Sequence, residues 1–462
     1  MLHHRTRAGL GTLVVASLLG TAGIVLSAGA GAVAGAGDSL QAAVDAYLLP
    51  VVEPDLISGT VLIARDGETL MARGYGLANR EYAQPNVPET KFRLGSLSKQ
   101  FTAAGILVLE QQGRLSVGDS LARFYPDFPH ADQITLHQLL THTSGLRNYT
   151  ARADYEEKQG LPWTIDEVIA WFADDSLAAA PGERFLYANT NYVLLAGVIE
   201  HATGQSYEEF LRSVLFEPAG MHDTGLDSHM KILPLRASGF VSFGEEILHT
   251  PYRDMPFMSG AGSLYSTALD LFRWDQALYT DAILSSASKE KMFTAHAPNY
   301  GYGWFIEERD GHRVVSHRGE INGFIVSLDR YLDDRLVVIT LFNFESVFAR
   351  RAIRGLCDLA LGKEPSPLLL ASVPMPPLET LQRLAGDYGI GEGDTLRVWL
   401  EGERLLTADP ETGHTLAILP QEPPFFWIPG LKSMVRFDSN DAGAVTRLVL
   451  YNSVHAIPAP RL

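Results

Sequence analysis

Strand-like and helix-like patterns alternate along this chain in an order that constrains its fold more than any other feature. Strand patterns at GTVLIARDG and TLMARGYGLAN precede a mainly helical section over residues 102–292. Strand patterns then return in HRVVSHRG, GFIVSLDRYL and RLVVITLFN, and the helical stretch FARRAIRGLCDLALG follows them. Because both ends of this region supply strands, the order predicts an α+β fold, with an antiparallel sheet flanked by helices and a large helical subdomain beside it.

The character of the sequence changes at Lys363. The stretch KEPSPLLLASVPMPP is rich in proline and is typical of a linker. Short alternating patterns such as LRVWLEG, HTLAILP and VTRLVLYN follow it to the end, and they predict a small C-terminal antiparallel β-barrel. The predicted organisation is a first domain over residues 38–362, a proline-rich linker over 363–376 and a barrel over 377–462.

The N-terminus has the pattern of a secretory signal peptide over residues 1–36. A basic start, MLHHRTR, precedes an uncharged apolar run over residues 10–26, and cleavage is expected near Ala34 or Ala36. The protein is therefore expected to be periplasmic or secreted. An uncleaved N-terminal membrane anchor is the alternative, because the apolar run is close to the shortest length that spans a bilayer. No later stretch is long and apolar enough to span a membrane, so no stable span is expected after processing.

Charge and cysteine content exclude several classes of partner. The formal net charge of −17 argues against nucleic acid or an anionic membrane surface as the main partner. The single cysteine, Cys357, excludes an intramolecular disulfide and a thiolate metal cluster. His137 and His142 lie close together in LHQLLTHTSGL, but no acidic partner accompanies them, so we interpret them as helix-packing and hydrogen-bonding residues rather than metal ligands. Neither a metal nor a cofactor is predicted.

A Ser-x-x-Lys pattern, which puts both side chains on one face of a helix, occurs four times. Only one copy stands between a strand pattern, KFRLG, and a long apolar helix, FTAAGILVLEQQGRL, and it consists of Ser96 and Lys99. A nucleophile there would gain from the free N–H groups of the helix N-terminus. The alternative is an ordinary N-cap serine followed by a solvated lysine. The other copies are Ser228/Lys231, Ser286/Lys289 and Ser288/Lys291.

Two further patterns follow this copy along the chain. Tyr187-Ala188-Asn189 is the only Tyr-x-Asn in the sequence and precedes an apolar helix. His317-Arg318-Gly319 ends a strand pattern, where a glycine lets a ligand approach the backbone closely. Taken singly, each pattern also fits a structural role in a loop or a strand.

Together, the three motifs resemble those of the serine β-lactamase and penicillin-binding superfamily. The order Ser-x-x-Lys, Tyr-x-Asn and His-x-Gly is similar to its class C branch, which contains DD-carboxypeptidases, D-aminopeptidases, esterases and β-lactamases. ITLHQLLTHTSGL, GAGSLYSTALDLFRW and YGYGW also resemble that branch. The resemblance covers residues 40–362 and implies a β-lactamase-like serine hydrolase domain. The C-terminal stretch resembles the lipocalin-like domain of some members.

The resemblance assigns a role to each motif residue. Ser96 attacks a carbonyl to form an acyl-enzyme, and Lys99, at least partly neutral, takes the hydroxyl proton. Tyr187 relays that proton to the leaving group, and Asn189 holds the substrate amide. The backbone N–H groups of Ser96 and Glu320 form the oxyanion hole, since Glu320 follows the third-motif glycine.

The third motif departs from the β-lactamase pattern at His317, where class C β-lactamases usually have lysine. Histidine there is more similar to the DD-peptidases and D-aminopeptidases. If His317 binds a substrate carboxylate, it has to be protonated. With an ordinary pKa near 6.5, its affinity for the carboxylate is then expected to weaken as the pH rises through neutrality. The bulky neighbours Arg318 and Glu320 are expected to narrow or recharge the pocket.

Three functional hypotheses follow. The favoured one is a secreted serine hydrolase acting on D-amino-acid peptides or esters, with small substrates such as peptidoglycan fragments and with β-lactams as acylating ligands. The second is a class C-like β-lactamase. The third is a non-catalytic member that binds peptidoglycan or a partner protein, and the presence of Ser96, Lys99 and Tyr187 argues against it.

Overall fold

The computed structural model describes residues 36–462, except for positions 244–245, 369–373, 391–393, 409–412, 422–423, 429–430, 432, 441 and 452–455. Residues 1–35 of the predicted signal peptide lie outside the described residues. The described part contains eleven α-helices, numbered in chain order: α1 (Ala36–Val52), α2 (Lys99–Gln111), α3 (Leu136–Leu140), α4 (Tyr155–Lys158), α5 (Ile165–Phe172), α6 (Asn189–Thr203), α7 (Tyr207–Leu211), α8 (Ala268–Ala277), α9 (Ser286–Met292), α10 (Val347–Ala360) and α11 (Leu378–Leu384). None of these helices has both the length and the apolar character that a membrane span requires.

A six-stranded antiparallel sheet forms the centre of the fold. Its strands come from both ends of the first domain, in the order β10-β11-β12-β13-β1-β2, which confirms the predicted α+β architecture. Two come from the N-terminal end, β1 (Gly59–Arg65) and β2 (Glu68–Tyr75), and four from the C-terminal end, β10 (Phe305–Arg309), β11 (His312–Ile321), β12 (Phe324–Tyr331) and β13 (Leu336–Phe342).

Strand β1, which lies between β13 and β2, is buried on both faces, which explains its nearly continuous apolar sequence. Val61 and Ile63 pack into the core that α1 and α10 cover, whereas Leu62 and Ala64 pack into the larger core shared with the helical region. The sheet is therefore enclosed between two helical layers.

The middle section is less uniformly helical than the sequence predicts. Besides helices α2 to α9, it contains short strands that pair over two to four residues, too few to give a clear alternation. The short strands of the first domain are β3 (Leu77–Asn79), β4 (Gln84–Pro85), β5 (Phe92–Arg93), β6 (Gly225–Leu226), β7 (Phe240–Phe243), β8 (Glu246–His249), β9 (Leu264–Ser266) and β14 (Phe344–Glu345).

An eight-stranded antiparallel sheet forms the C-terminal region, and each strand pairs with the next along the chain. The Leu462 N–H donates to the Asp387 carbonyl oxygen at 2.8 Å, which nearly closes the sheet into the predicted barrel. Its strands are β15 (Gly386–Ile390), β16 (Asp394–Glu401), β17 (Arg404–Ala408), β18 (Thr415–Pro420), β19 (Phe425–Ile428), β20 (Ser433–Ser439), β21 (Val445–Tyr451) and β22 (Ala456–Pro460). Trp427 of β19 packs edge-on against Phe348 of α10, with ring centroids 5.3 Å apart. The predicted boundaries at residues 363 and 377 stay predictions.

Helix α2 carries the Ser-x-x-Lys motif into the interior. Its residues from Lys99 to Leu109 are buried, so the helix is surrounded by protein rather than amphipathic. A 3₁₀ turn, Gly95–Ser98, precedes it and holds Ser96. Because strand β5 is followed closely by a buried helix, Ser96 lies at the edge of the core and Lys99 lies inside it.

Candidate active site

Strand β11 and the turn that holds Ser96 are in direct backbone contact. A Cβ atom on Gly319 would lie 1.9 Å from the Leu94 carbonyl oxygen, and a Cβ on Gly95 would lie 3.0 Å from the Glu320 nitrogen. Gly95 also has a φ of +49°, a left-handed conformation that favours glycine. Both glycines are therefore required for Glu320 to lie beside Ser96.

Replacing Gly319 by alanine is expected to lower the rate of acylation about 100-fold, because the strand has to move away from Ser96 by about 1 Å. The clash is with a backbone oxygen, so no side-chain rotation relieves it. Stopped-flow acylation and thermal unfolding measure the effect. Gly118→Ala is the matched control, since its nearest neighbour, Ser116 Oγ, is 3.6 Å away. A Gly319→Ala protein with the wild-type acylation rate would contradict this packing.

The amino group of Lys99 is fully buried and has three oxygen neighbours. Its Nζ lies 2.8 Å from Asn189 Oδ1, 2.9 Å from the Ala261 carbonyl oxygen and 2.9 Å from Ser96 Oγ. The amide and carbonyl oxygens can only accept hydrogen bonds, so they take two N–H groups. In the neutral amine, the lone pair is left for the Ser96 hydroxyl, which then donates to it.

Burial lowers the pKa of Lys99 well below its ordinary value of 10.5. The contacts of Nζ among the described residues include no carboxylate that would oppose this shift. A buried amine without a counter-charge favours the neutral form. The alternative of an N-cap serine and a solvated lysine is therefore wrong: Lys99 is 0% exposed, and neither the 3₁₀ turn nor α2 has a side-chain N-cap hydrogen bond.

The three other Ser-x-x-Lys copies have a different electrostatic environment. In each of them a carboxylate neutralises the lysine, and the pairs are Lys231 with Glu208 at 2.6 Å, Lys289 with Asp281 at 2.8 Å and Lys291 with Glu110 at 2.8 Å. An ion pair favours the protonated amine, which cannot accept a proton. Only the copy at Ser96 combines burial with the absence of a counter-charge in the described part of the chain.

Tyr187 lies beside this pair. Its phenol lies beside the Ser96 side chain, and its ring centroid is 4.9 Å from Lys99 Nζ. Burial raises the pKa of Tyr187 above its ordinary value, so the phenol keeps its proton at neutral pH. The protonated phenol of Tyr187 therefore lies beside both Ser96 and Lys99.

Asn189 begins helix α6 and connects Lys99 to a neighbouring loop. Its side-chain oxygen accepts from Lys99, and its backbone N–H donates to Asn148 Oδ1 at 3.1 Å. Thr190 Oγ1 donates to the Arg147 carbonyl oxygen at 2.6 Å. The second motif and the loop around Asn148 therefore form one rigid unit.

His317 faces the site but is neutral. It is 2% exposed, and burial lowers the pKa of His317 well below its ordinary value of 6.5. Its Nδ1 lies 2.6 Å from the Arg318 carbonyl oxygen, so Nδ1–H donates, and Nε2 accepts from the Tyr300 hydroxyl at 3.2 Å. This differs from the expected pKa near 6.5, and no His317 titration is expected between pH 5 and 8.

Arg318 and Glu320 point away from His317 and do not narrow its pocket, contrary to the expectation. Along β11 the side chains alternate, so the exposed Arg318 and Glu320 lie on the face opposite to His317 and Gly319. The Glu320 carboxylate is bound by Arg350, with Nη2 2.8 Å from Oε2. Only the backbone of Glu320 therefore takes part in the site.

Two residues outside the three motifs pack around Tyr187 and His317. His142, interpreted from sequence as a packing residue, is fully buried, and its ring lies 4.3 Å from that of Tyr187. Its Nδ1 accepts from the Ala188 N–H at 3.3 Å. Tyr300 was missed altogether, although YGYGW, which contains it, was among the family-like stretches. His142 and Tyr300 hold Tyr187 and His317 in place.

The arrangement brings together every predicted site residue: Ser96, Lys99, Tyr187, Asn189, His317, Gly319 and Glu320. A cavity of about 390 Å³ borders it at Tyr187, and another of about 380 Å³ borders it at Glu320. Among the described residues, no group of three or more histidine, cysteine or carboxylate side chains is arranged to hold a metal. A serine hydrolase is the class of enzyme that this fold and this serine–lysine pair define.

Comparisons with known proteins give the family. The family model Beta-lactamase matches residues 41–357, and the chain belongs to this family. "Penicillin-binding protein 4*" of Bacillus subtilis is 33% identical over 380 residues, which cover 76% of this chain and 84% of that protein. "Teichoic acid D-alanine hydrolase" of Staphylococcus aureus is 26% identical over 307 residues, covering 65% of this chain and 72% of that protein.

A solved structure matches both parts of the chain. The octameric penicillin-binding protein homologue from Pyrococcus abyssi has a TM-score of 0.64 and 25% identity, and the match covers 91% of this chain and 99% of that chain. The predicted β-lactamase-like fold and the assignment as a serine hydrolase are thereby confirmed. The class C branch and the lipocalin-like character of the barrel stay predictions.

Proposed function

We propose that the protein is a periplasmic or secreted hydrolase that cleaves D-amino-acid peptides or esters through an acyl-enzyme on Ser96. The observation that carries the proposal is the Lys99 amine, buried without a counter-charge and 2.9 Å from Ser96 Oγ. Two similar proteins support the substrate class, since one is called a penicillin-binding protein and the other a teichoic acid D-alanine hydrolase. Peptidoglycan fragments fit this class, with β-lactams as acylating ligands. The apolar N-terminal run supports export.

Acylation begins when Ser96 Oγ forms a bond to the substrate carbonyl carbon and its proton passes to Lys99 Nζ. The negative charge on the carbonyl oxygen is stabilised by the N–H groups of Ser96 and Glu320. The bond to the leaving group then breaks, and the leaving atom takes the phenol proton of Tyr187. Lys99 returns its proton to Tyr187, which leaves Ser96 acylated and both side chains neutral.

Deacylation repeats these steps with water as the nucleophile. Water attacks the acyl carbon and loses a proton to the Lys99–Tyr187 pair, and Ser96 leaves with that proton. Asn189, whose oxygen is occupied by Lys99, keeps its N–H₂ group for the carbonyl of the substrate amide.

A fluorescent penicillin and an N-acetyl-D-alanyl ester, incubated separately with the protein, test this proposal. Covalent labelling that persists, together with ester turnover, is the expected result. Rapid release of the penicillin would instead favour the class C-like β-lactamase hypothesis. Absence of both labelling and turnover in folded protein would overturn the proposal.

A further inference from the structure

The cavity beside Tyr187 is positively charged. Its lining contains two arginines, Arg147 and Arg152, and one carboxylate, Asp175. This is unusual in a chain with a formal net charge of −17. Tyr187, which donates a proton to the leaving group in the proposed reaction, is part of this lining, so the charge of the cavity acts on a leaving group that enters it.

The two arginines differ in whether their charge is neutralised. Arg152 pairs with Asp154 at 3.4 Å and with Asp175, and it lies over the Trp171 ring at 4.8 Å. The exposed Arg147 donates from Nε to Ser176 Oγ at 3.3 Å, and no carboxylate in the described part of the chain lies within ion-pair distance of it. Arg147 thus has an uncompensated charge and free N–H donors.

The position of Arg147 is fixed relative to the reacting groups. Its carbonyl oxygen accepts from Thr190 Oγ1 at 2.6 Å, and the next residue, Asn148, accepts from the Asn189 N–H at 3.1 Å. Both donors belong to the first turn of α6, directly after Tyr187. The backbone of Arg147 is therefore held by the same segment as Tyr187, and its side chain extends from there into the lining of the cavity.

The third motif does not supply a competing positive charge. Both ring nitrogens of the buried His317 are occupied, by the Arg318 carbonyl oxygen and by the Tyr300 hydroxyl. Arg318 itself lies on the opposite face of β11. A negatively charged substrate group near Tyr187 consequently meets Arg147 rather than the third motif.

We propose that Arg147 binds an oxyanion on the leaving group of the substrate, either a carboxylate or a phosphate. A guanidinium presents paired N–H donors that match both groups. This inference rests on the proposed function, in which Tyr187 protonates the leaving group. It identifies the substrates as D-amino-acid esters or amides whose departing half is anionic.

The test compares leaving groups that differ only in charge. N-acetyl-D-alanyl-D-lactate carries a carboxylate on its leaving group, and the corresponding D-lactamide does not. In Arg147→Gln, the ratio of kcat/KM for the anionic ester to that for the neutral ester is expected to fall roughly 10- to 100-fold, the value of a charged hydrogen-bonded pair. In Arg147→Lys, the ratio should lie between those of wild type and Arg147→Gln. Added salt should lower the ratio in wild type.

Arg114→Gln is the matched control, since it removes one exposed arginine whose guanidinium binds only the Ala202 carbonyl among the described residues. The ratio should stay at the wild-type value in this variant. If Arg147→Gln lowers kcat/KM for both esters equally, or for neither, the inference is overturned while the proposed function stands. If wild type hydrolyses neither ester and Ser96 is not acylated, the proposed function itself fails.

A second pair of esters identifies the oxyanion. N-acetyl-D-alanyl esters of glycerol phosphate and of glycerol differ by a phosphate in the leaving group. For each pair, the quantity compared is the ratio of kcat/KM for the anionic ester to that for the neutral ester, and its loss in Arg147→Gln. If the larger loss occurs for the glycerol phosphate pair, the group that Arg147 binds is a phosphate. If it occurs for the lactate pair, the group is a carboxylate. If wild type hydrolyses the anionic and the neutral ester with equal kcat/KM in both pairs, the inference is overturned.

Discussion

Replacing Ser96 by alanine is expected to abolish acyl-enzyme formation and to lower turnover at least about 10⁴-fold, as loss of the nucleophile does in other serine hydrolases. The physical reason is that, in the described part of the chain, the serines of the other three Ser-x-x-Lys pairs have a lysine that is ion-paired and therefore protonated. The folded state should change little, because the serine is not a helix cap and its loss removes about 1 kcal/mol of hydrogen bonding. Mass spectrometry of penicillin-treated protein and ester hydrolysis measure the two effects.

Ser228→Ala is the matched control for this variant. It removes the same hydroxyl from a second Ser-x-x-Lys copy, whose lysine is ion-paired with Glu208 at 2.6 Å. Full activity is expected there. If Ser96→Ala kept hydrolysing a simple ester while Ser228→Ala did not, the nucleophile would be misassigned.

The fold could be predicted because its main elements have clear local patterns. Strands such as Gly59–Arg65 and Leu336–Phe342 are nearly continuous apolar runs, and their separation by a helical section requires pairing across the domain. The two- to four-residue strands in the middle section could not be predicted, because each is too short to show a clear alternation. Some also depend on partners distant in sequence, as Leu264–Ser266 does when it pairs with Phe92–Arg93.

The grouping of the motif residues could be predicted, whereas the protonation state of His317 could not. The spacing of Ser96 and Lys99 is a local feature, and the helix places the two side chains together. The protonation of His317 depends on its burial and on its contacts with Tyr300 and the Arg318 carbonyl, which only the folded chain creates. The role of Arg147 could not be predicted for the same reason. It depends on the absence of a described carboxylate within ion-pair distance of the side chain, which only the folded chain determines.

Changing Lys99 to methionine or to arginine is expected to lower turnover by at least about 10³-fold in both variants. Methionine lacks a basic atom, and a guanidinium stays protonated at every pH at which the protein is folded, so neither accepts the Ser96 proton. The arginine variant is the informative one, because it keeps a positive charge in the site. Near-normal turnover in Lys99→Arg would rule out Lys99 as the base.

Wild type and Lys99→Met should also differ in how their free energy of unfolding depends on pH. Burial lowers the pKa of Lys99 in the folded state, whereas the unfolded chain titrates near the ordinary value of 10.5. Between these two pKa values the unfolded state holds a proton that the folded state has released. The free energy of unfolding of wild type should therefore rise with pH, relative to Lys99→Met, by up to about 1.4 kcal/mol per pH unit. Urea unfolding at pH 7, 8, 9 and 10 measures the difference. Parallel curves for the two proteins would mean that folded Lys99 keeps its proton, and an amine that keeps its proton cannot activate Ser96.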